Sequence, residues 1–310
     1  MGFFGILFSP VLHISSSITP ANSILDGRLF ILVLTMLTHS FIHLPGIGQK
    51  TEQNLWKAGI QQWSQWPEKP QVKLPNSSLP DLATLVQTSI EELKNGPKFF
   101  SSRLPGNEQW RLFSHFRDRT AYLDIESTGL GQDAEITTIA LYDGRQVHCY
   151  INGRNLNDFE HDIWKYDVLV TYNGKGFDIP MLERWFRIRL TQSHIDLRYI
   201  LAKLGFKGGL KGCEKQLGIN RGTLDGVDGY FAVLLWWDYI NNNNEKALET
   251  LLAYNIEDTV NLERLLVEAY NRNVLCTPFG EELIVQSPDM PCIPYQPDLN
   301  TVKRLKKMLG

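Results

Sequence analysis

Between residues 119 and 270 the hydrophobic rhythm of the sequence changes from strand-like to alternating, and this constrains the fold more than any other feature. Thr120–Ile125 is a short apolar strand candidate. Glu135–Tyr142 and Gln146–Ile151 are two further strand-like runs, joined by Asp143-Gly144, a dipeptide suited to a tight hairpin. Helical spacing then appears at Asp158–Trp164, a buried strand candidate at Val168–Tyr172, a helix at Met181–Leu190 and a short strand at His194–Leu197. Helical patterns follow at Leu197–Leu204, Leu210–Leu217, Gly229–Tyr239 and Lys246–Tyr270. A meander joined to strand–helix alternation predicts an α/β fold, with a mixed sheet covered by helices.

Composition narrows the alternatives. The chain has 310 residues, 43% hydrophobic and 21% charged, which excludes a disordered, collagen-like or coiled-coil protein. That length suits one large domain and one small one. A formal charge of -3 excludes a uniformly basic nucleic-acid coat, so any phosphate contact must come from a local patch. The cysteines, Cys149, Cys213, Cys276 and Cys292, are scattered and form no CxxC pair. They suggest neither a zinc knuckle nor a disulfide framework, and a cytoplasmic location fits.

Five regions are expected. Residues 1–35 read as an apolar extension with no packing role, because Met36 opens a run that resembles a natural start. Its apolar runs, Phe3–Phe8 and Leu29–Leu37, fall short of the roughly 18 residues of a membrane span. No basic residue precedes the first run, so it makes a poor signal peptide, and no membrane partner is expected. Residues 36–67 predict a compact helical unit. Residues 68–118 begin as a linker broken by Pro70, Pro75 and Pro80, with a helix at Leu79–Lys94. Residues 119–270 form the main domain, and 271–310 a Pro-rich tail. The Asn241–Asn244 run reads as a polar loop.

The chemistry lies in four carboxylates. Asp124 and Glu126 are two apart in a strand candidate, so they share a face while Leu123 and Ile125 point to the other. Two acids there repel each other and lose hydration, an arrangement that a hard divalent cation would neutralise. An exposed edge or a loop cap would account for them equally well. Asp178 follows the strand candidate Val168–Tyr172 and the turn Asn173-Gly174-Lys175-Gly176. It suits a helix N-cap as well as a site, and Pro180 fits the first turn of that helix. Tyr254 and Asp258 are four apart on a helix and so share a face. A structural tyrosine with an exposed aspartate is the plainer alternative.

In this order the three segments resemble the motifs of the DEDD exonuclease superfamily: Asp124-x-Glu126, Asn173-x-x-x-Phe177-Asp178 and Tyr254-x-x-x-Asp258. Tyrosine in the third motif marks the DEDDy branch. NGKGFDIPML and YNIEDTVNL are similar to the proofreading exonuclease of family B polymerases. HIDLRYIL, GGLKGCEKQLGI and LDGVDGYFAVLLWWDY resemble a YprB-like family of RNase H-like exonucleases. The resemblance covers about residues 100–270. It implies an RNase H-like mixed five-stranded sheet flanked by helices, beside the small helical N-terminal unit. It also implies two Mg²⁺ or Mn²⁺ ions about 4 Å apart, held by Asp124, Glu126, Asp178 and Asp258, and two-metal hydrolysis of phosphodiesters from a 3′ end. Tyr254 would orient the attacking water, because a phenol with a pKa near 10 is a poor base. Asn173 and Phe177 would meet the terminal nucleotide, with core packing an equal role for Phe177.

Between Lys165 and Arg221 there are 11 Lys and Arg against 5 Asp and Glu, a basic stretch in an acidic chain. Lys175, Arg187, Arg189, Lys207, Lys211 and Lys215 are candidates to track a strand, with Lys175 and Lys211 chosen as substrate contacts. For any one of them a solvated surface is the plainer role. Asp196 suits a helix cap better than a metal ligand. Trp236 and Trp237 suit the core better than base stacking. His43–Ile60 resembles a helix-hairpin-helix motif. Gly46, Ile47, Gly48 and Lys50 would meet a DNA backbone through amides at a helix start. Only one copy is visible, and a structural or docking role stays open.

The expectation is a 3′–5′ exonuclease acting on single-stranded or 3′-ended DNA, favoured over RNA. The rivals are a non-catalytic nucleic-acid-binding or docking protein with the same fold, and a structure-specific endonuclease.

Overall fold

The computed structural model describes Asn22–Leu25, Arg28–Ile31 and residues 35–74, 79–131, 133–221 and 228–309. Five strands form one mixed sheet: β1 (Thr120–Ser127), β2 (Ile136–Tyr142), β3 (Val147–Ile151), β4 (Val168–Thr171) and β5 (Ser193–Asp196). Their spatial order is β3-β2-β1-β4-β5. β1, β2 and β3 make the antiparallel meander, with Asp124 opposite Ala140 and Glu126 opposite Thr138. β4 runs parallel to β1, and β5 parallel to β4. This is an RNase H-like sheet, and its central strand carries the first two acids.

The helices follow from capping and amphipathic spacing. The longer ones are α1 (Gln49–Lys57), α2 (Leu79–Glu92), α3 (Asp178–Phe186), α4 (Leu197–Lys203), α5 (Gly209–Gln216), α6 (Gly229–Asn242), α7 (Glu245–Val274) and α8 (Leu299–Leu309). α3 starts before the expected Met181 and stops before Leu190, because Arg187 turns left-handed at φ 55°. The asparagine run separates α6 from α7 by two devices. Asn243 takes the left-handed C-cap of α6 at φ 51°, and the Asn244 side chain accepts from the Lys246 amide at 3.2 Å to start α7.

One face of the sheet packs Leu123, Ile125, Ile139 and Leu141 against Phe159, Met181 and Leu182. A second core joins Phe231, Leu235 and Trp236 of α6 to Leu248, Leu251 and Tyr254 of α7. Val302 and Leu305 of α8 enter this second core, so the Pro-rich tail ends in a packed helix. Trp236 is buried as expected, but Trp237 is 44% exposed. One position of helical phase turns it away from the face that Trp236 buries.

Thr35–Gly310 form one compact unit, and Met1–Leu34 another in which Asn22–Leu25 pairs antiparallel with Arg28–Ile31. The expected lack of packing by residues 1–35 falls mainly outside the described residues, although Thr35 itself is buried. In the helical unit, Leu44, Ile47, Leu55, Trp56 and Ile60 are all buried. Only α1 is a helix of ordinary length there. Met36–His39 is a single 3-10 turn, after which Pro45 and Gly46 keep the chain in turns.

The stretch between that unit and the sheet also packs. Trp110 and Phe113 are buried edge-on against Tyr270 of α7, with ring centroids 5.7 Å away in each case. A buried ion cluster ties the same stretch to α1. Arg111 meets Glu52 at 2.9 Å and Glu108 at 2.9 Å, while Ser40 Oγ donates to Glu52 at 3.2 Å. Among the described residues no helix is long and apolar enough to cross a membrane.

Candidate active site

β1 and α7 bring three of the four acids together. The alternation of β1 puts Asp124 and Glu126 on one face, and α7 lays Tyr254 and Asp258, one turn apart, against it. One carboxylate oxygen from each of Asp124, Glu126 and Asp258 lies within 4.8 Å of the others. Glu126 and Asp258 are buried, whereas Asp124 keeps part of its surface open. Asp178 stands outside this group. It is the first residue of α3, so Phe177 rather than Asp178 holds the N-cap position. Asp178 is nevertheless near enough to feel the others. Burial, and then the charge of Asp124, push its carboxyl well above the usual range, while its own amide and that of Ile125 oppose the shift.

The same physics acts on the other acids. Burial pushes Asp124 up to about 7, against a hydrogen bond from Asn255 that favours its anion. Burial and the charge of Asp124 push Glu126 well above the ordinary carboxylate range. Glu257, the residue before Asp258 on α7, is pushed up to about 7 by burial. Acids so close and so desolvated cannot all ionise unaided. Hard oxygen donors gathered to this spacing fit Mg²⁺ or Mn²⁺.

Several residues that frame the acids carry no signal in the local sequence. Asn255 Nδ2 donates to Asp124 Oδ2 at 2.7 Å, and Thr138 Oγ1 donates to Asn255 Oδ1 at 3.0 Å. The amide is thereby oriented, with its NH₂ facing the carboxylate. Arg221 pairs with Asp258 and, at 2.5 Å, with Glu214, which also accepts from Asn261 at 2.9 Å. Lys211 Nζ donates to the Tyr254 hydroxyl at 2.8 Å. Burial, with the charges of Glu126 and Asp124, raises the Tyr254 phenol far above its usual value, so it stays protonated.

The second segment is a rigid loop. Asn173 sits at φ 65°, and a Cβ on Gly174 would come within 2.2 Å of Thr171 Oγ1, so only glycine fits there. Asp196 organises this loop. Its carboxylate accepts from the amides of Asn173 at 2.7 Å and Lys175 at 3.2 Å, and caps α4 through the Arg198 amide at 3.1 Å. Asp196 thus acts as the cap and loop anchor. Asn173 Oδ1 accepts from Arg198 at 2.5 Å, and Phe177 packs half-buried against the sheet core. Lys175 is exposed and Lys211 half-buried. Arg187, Arg189, Lys207 and Lys215 are all exposed.

In the N-terminal hairpin, Gly46, Gly48 and Lys50 are exposed and Ile47 is buried. The Ile47 amide donates to the Leu44 carbonyl at 3.1 Å, so it is already engaged within the turn. Gly48 holds the N-cap position of α1. A shallow concavity of about 500 Å³ opens here, lined by residues 42–48 and Arg103.

The fold and the acid cluster define a class. Residues 121–270, just under half of the chain, match the model of the RNase_H_2 family, described as RNase_H superfamily, in keeping with the RNase H-like sheet. Over 169 residues the chain is 28% identical to the uncharacterized protein YprB of Bacillus subtilis (strain 168), a match that covers 47% of this chain and 40% of YprB. A family B DNA polymerase from the hyperthermophilic archaeon Pyrobaculum calidifontis superposes with a TM-score of 0.40 and 17% identity, over 54% of this chain and 27% of the polymerase.

Proposed function

We propose that the protein is a metal-dependent 3′–5′ exonuclease that hydrolyses phosphodiester bonds, in DNA more readily than in RNA. The observation that carries this reading is the convergence of Asp124, Glu126 and Asp258 oxygens within 4.8 Å, with Tyr254 on the same helix face as Asp258. These three acids would hold one divalent cation, and Asp178 would help to hold a second. When bound, such ions lower the pKa of a water and neutralise charge on the scissile phosphate.

The chain's own residues do the positioning. Asn255 fixes the Asp124 carboxylate through its oriented amide. The Tyr254 hydroxyl, protonated and held by Lys211, orients the attacking water through its oxygen. Lys211 adds positive charge where phosphate oxygens would lie. Asn173, Lys175 and Phe177 lie on the loop that leads to Asp178 and would meet the terminal nucleotide. Water oxygen bonds to phosphorus, the P–O3′ bond breaks, and the leaving oxygen takes a proton. The products are a 5′-nucleoside monophosphate and a strand with a new 3′ hydroxyl. In the hairpin, exposed Gly46, Gly48 and Lys50 would meet a DNA backbone, while buried Ile47 contributes packing.

The test uses the full chain with 5′-labelled single-stranded and duplex DNA and RNA, in Mg²⁺, Mn²⁺ or EDTA. Wild type should shorten the strand from its 3′ end only with metal, and Asp124→Ala and Asp258→Ala should not. Binding without cleavage in either metal would overturn the reading in favour of a non-catalytic binding protein. Cleavage of circular DNA would make it an endonuclease.

A further inference from the structure

The loop that carries Lys175 to Asp178 forms one wall of a cleft of about 660 Å³. The other walls are Gly106 and Asn107, from the stretch before the sheet, and Tyr199, Ala202 and Lys203 of α4. The lining therefore holds two ammonium groups and one aromatic ring, with no carboxylate. Lys203 is paired with Glu108. Lys175 Nζ lies 5.7 Å from the centroid of the Tyr199 ring.

Tyr199 is 47% exposed, although its neighbours Leu197, Ile200 and Leu201 are almost fully buried. Helical phase, not poor packing, turns the ring to the cleft. Gly106 lies beside the ring, where a Cβ would stand 3.9 Å from it in ordinary van der Waals contact. The two recognition groups are also fixed relative to each other. Asp196 holds the Lys175 amide and caps the helix that bears Tyr199.

We propose that this cleft is a subsite for one unpaired nucleotide of the substrate strand, with its base stacked on Tyr199 and its phosphate paired with Lys175. A phenol face beside an ammonium recognises base and phosphate without reading sequence, because every base has a π face and every linkage a charge. In a duplex both faces of a base are already covered by its neighbours. The subsite therefore selects single strand. The strand's polarity and cleavage rest on the nuclease reading above; the binding chemistry does not.

Binding is measured by fluorescence anisotropy in Ca²⁺, with a labelled oligo-dT 12-mer and a blunt hairpin duplex. Tyr199→Ala should weaken 12-mer binding about tenfold, and Tyr199→Phe, which keeps the π face, should restore it. Lys175→Met should lower the slope of log K against log salt by about 0.7, the value for one single-strand phosphate contact. Duplex binding should respond little to Tyr199→Ala. Cleavage in Mn²⁺ is then compared between the 12-mer and the p-nitrophenyl ester of thymidine 5′-monophosphate, which has no second nucleotide. The ratio of their kcat/KM values should fall about tenfold in Tyr199→Ala, by the same loss of one stacking contact. An unchanged affinity and ratio in Tyr199→Ala, or equal losses on duplex and single strand, would overturn the subsite. If wild type cleaves neither substrate yet Tyr199→Ala still loses single-strand binding, the nuclease reading fails and the subsite stands.

Discussion

Replacing Asp124 by asparagine should make the metal-free protein more stable, and increasingly so as pH rises. Burial pushes the Asp124 carboxyl up to about 7, roughly three units above an ordinary aspartate. With a folded-state pKa above the unfolded one, the folded protein holds the extra proton between the two values. The stability this contributes is complete below about pH 4 and is lost as pH rises through about 7. Three units correspond to a ceiling of about 4 kcal/mol. Asp124 keeps part of its surface open, so solvent screening leaves about 2 kcal/mol as the working figure. The buried histidines act with the opposite sign. Burial lowers the pKa of His39, His43, His115 and His194, so their contribution is lost as pH falls. A wild-type profile alone would mix the two effects. The difference between Asp124→Asn and wild type removes the histidines, because both proteins share them. About a third of the Asp124 contribution is already lost by pH 5, so in EDTA the variant's Tm should exceed the wild type's by about 3–5 °C more at pH 8 than at pH 5, at about 2–4 °C per kcal/mol. Saturating Mn²⁺ at pH 8 should reverse the order, because wild type has the fuller ligand set. A difference that stays flat from pH 5 to 8, or equal stabilisation of both proteins by Mn²⁺, would refute the picture of desolvated acids awaiting a cation.

Asn255→Leu removes the amide that orients Asp124 and should lower Mn²⁺ affinity about 10–100-fold by calorimetry, with the circular dichroism spectrum unchanged. Arg111→Met leaves Glu52 and Glu108 buried without their shared partner and should cost about 3–5 kcal/mol in urea unfolding. Adding Glu52→Met to it should return part of that loss.

The parts of the fold that the sequence makes legible are those in which local periodicity carries the information. β1 to β5 and α7 alternate between periods of two and 3.6, and the structure places them within a few residues of the expected ranges. The acids stand out for the same reason, since each lies within a short motif on one element. Asn255, Arg221 and Glu214 do not stand out. Their roles depend on which side chain faces which across the sheet and α7, and nothing local distinguishes an asparagine on a helix from any other. Asn255 could have been noticed only as the residue three before Asp258 and one after Tyr254. Prolines hid other features. Pro70, Pro75 and Pro80 mark a linker, yet Trp110 and Phe113 beyond them pack on Tyr270. The prolines of the tail likewise precede a helix whose Val302 and Leu305 reach the core. Proline ends regular structure locally but does not stop the next apolar face from burying itself.

The charge balance of the site explains why metal and substrate would act together. Asp124, Glu126, Asp178, Asp258, Glu214 and Glu257 crowd one end of the sheet and α7, and the structure sets Arg221 and Lys211 among them. Arg221 is shared between Glu214 and Asp258, so its single charge cannot neutralise both. The remaining excess is negative, and burial, with a smaller part from the charge of Glu214, pushes Asp124 and Glu257 up to about 7, so in the metal-free protein they hold protons near neutrality. A phosphodiester brought to that surface would add another negative charge and meet repulsion. Divalent cations, if held by these acids as proposed, would reverse the local sign and make the site receptive to phosphate. The same ions release protons from the acids as they bind, so their apparent affinity should rise with pH through the range in which Asp124 titrates.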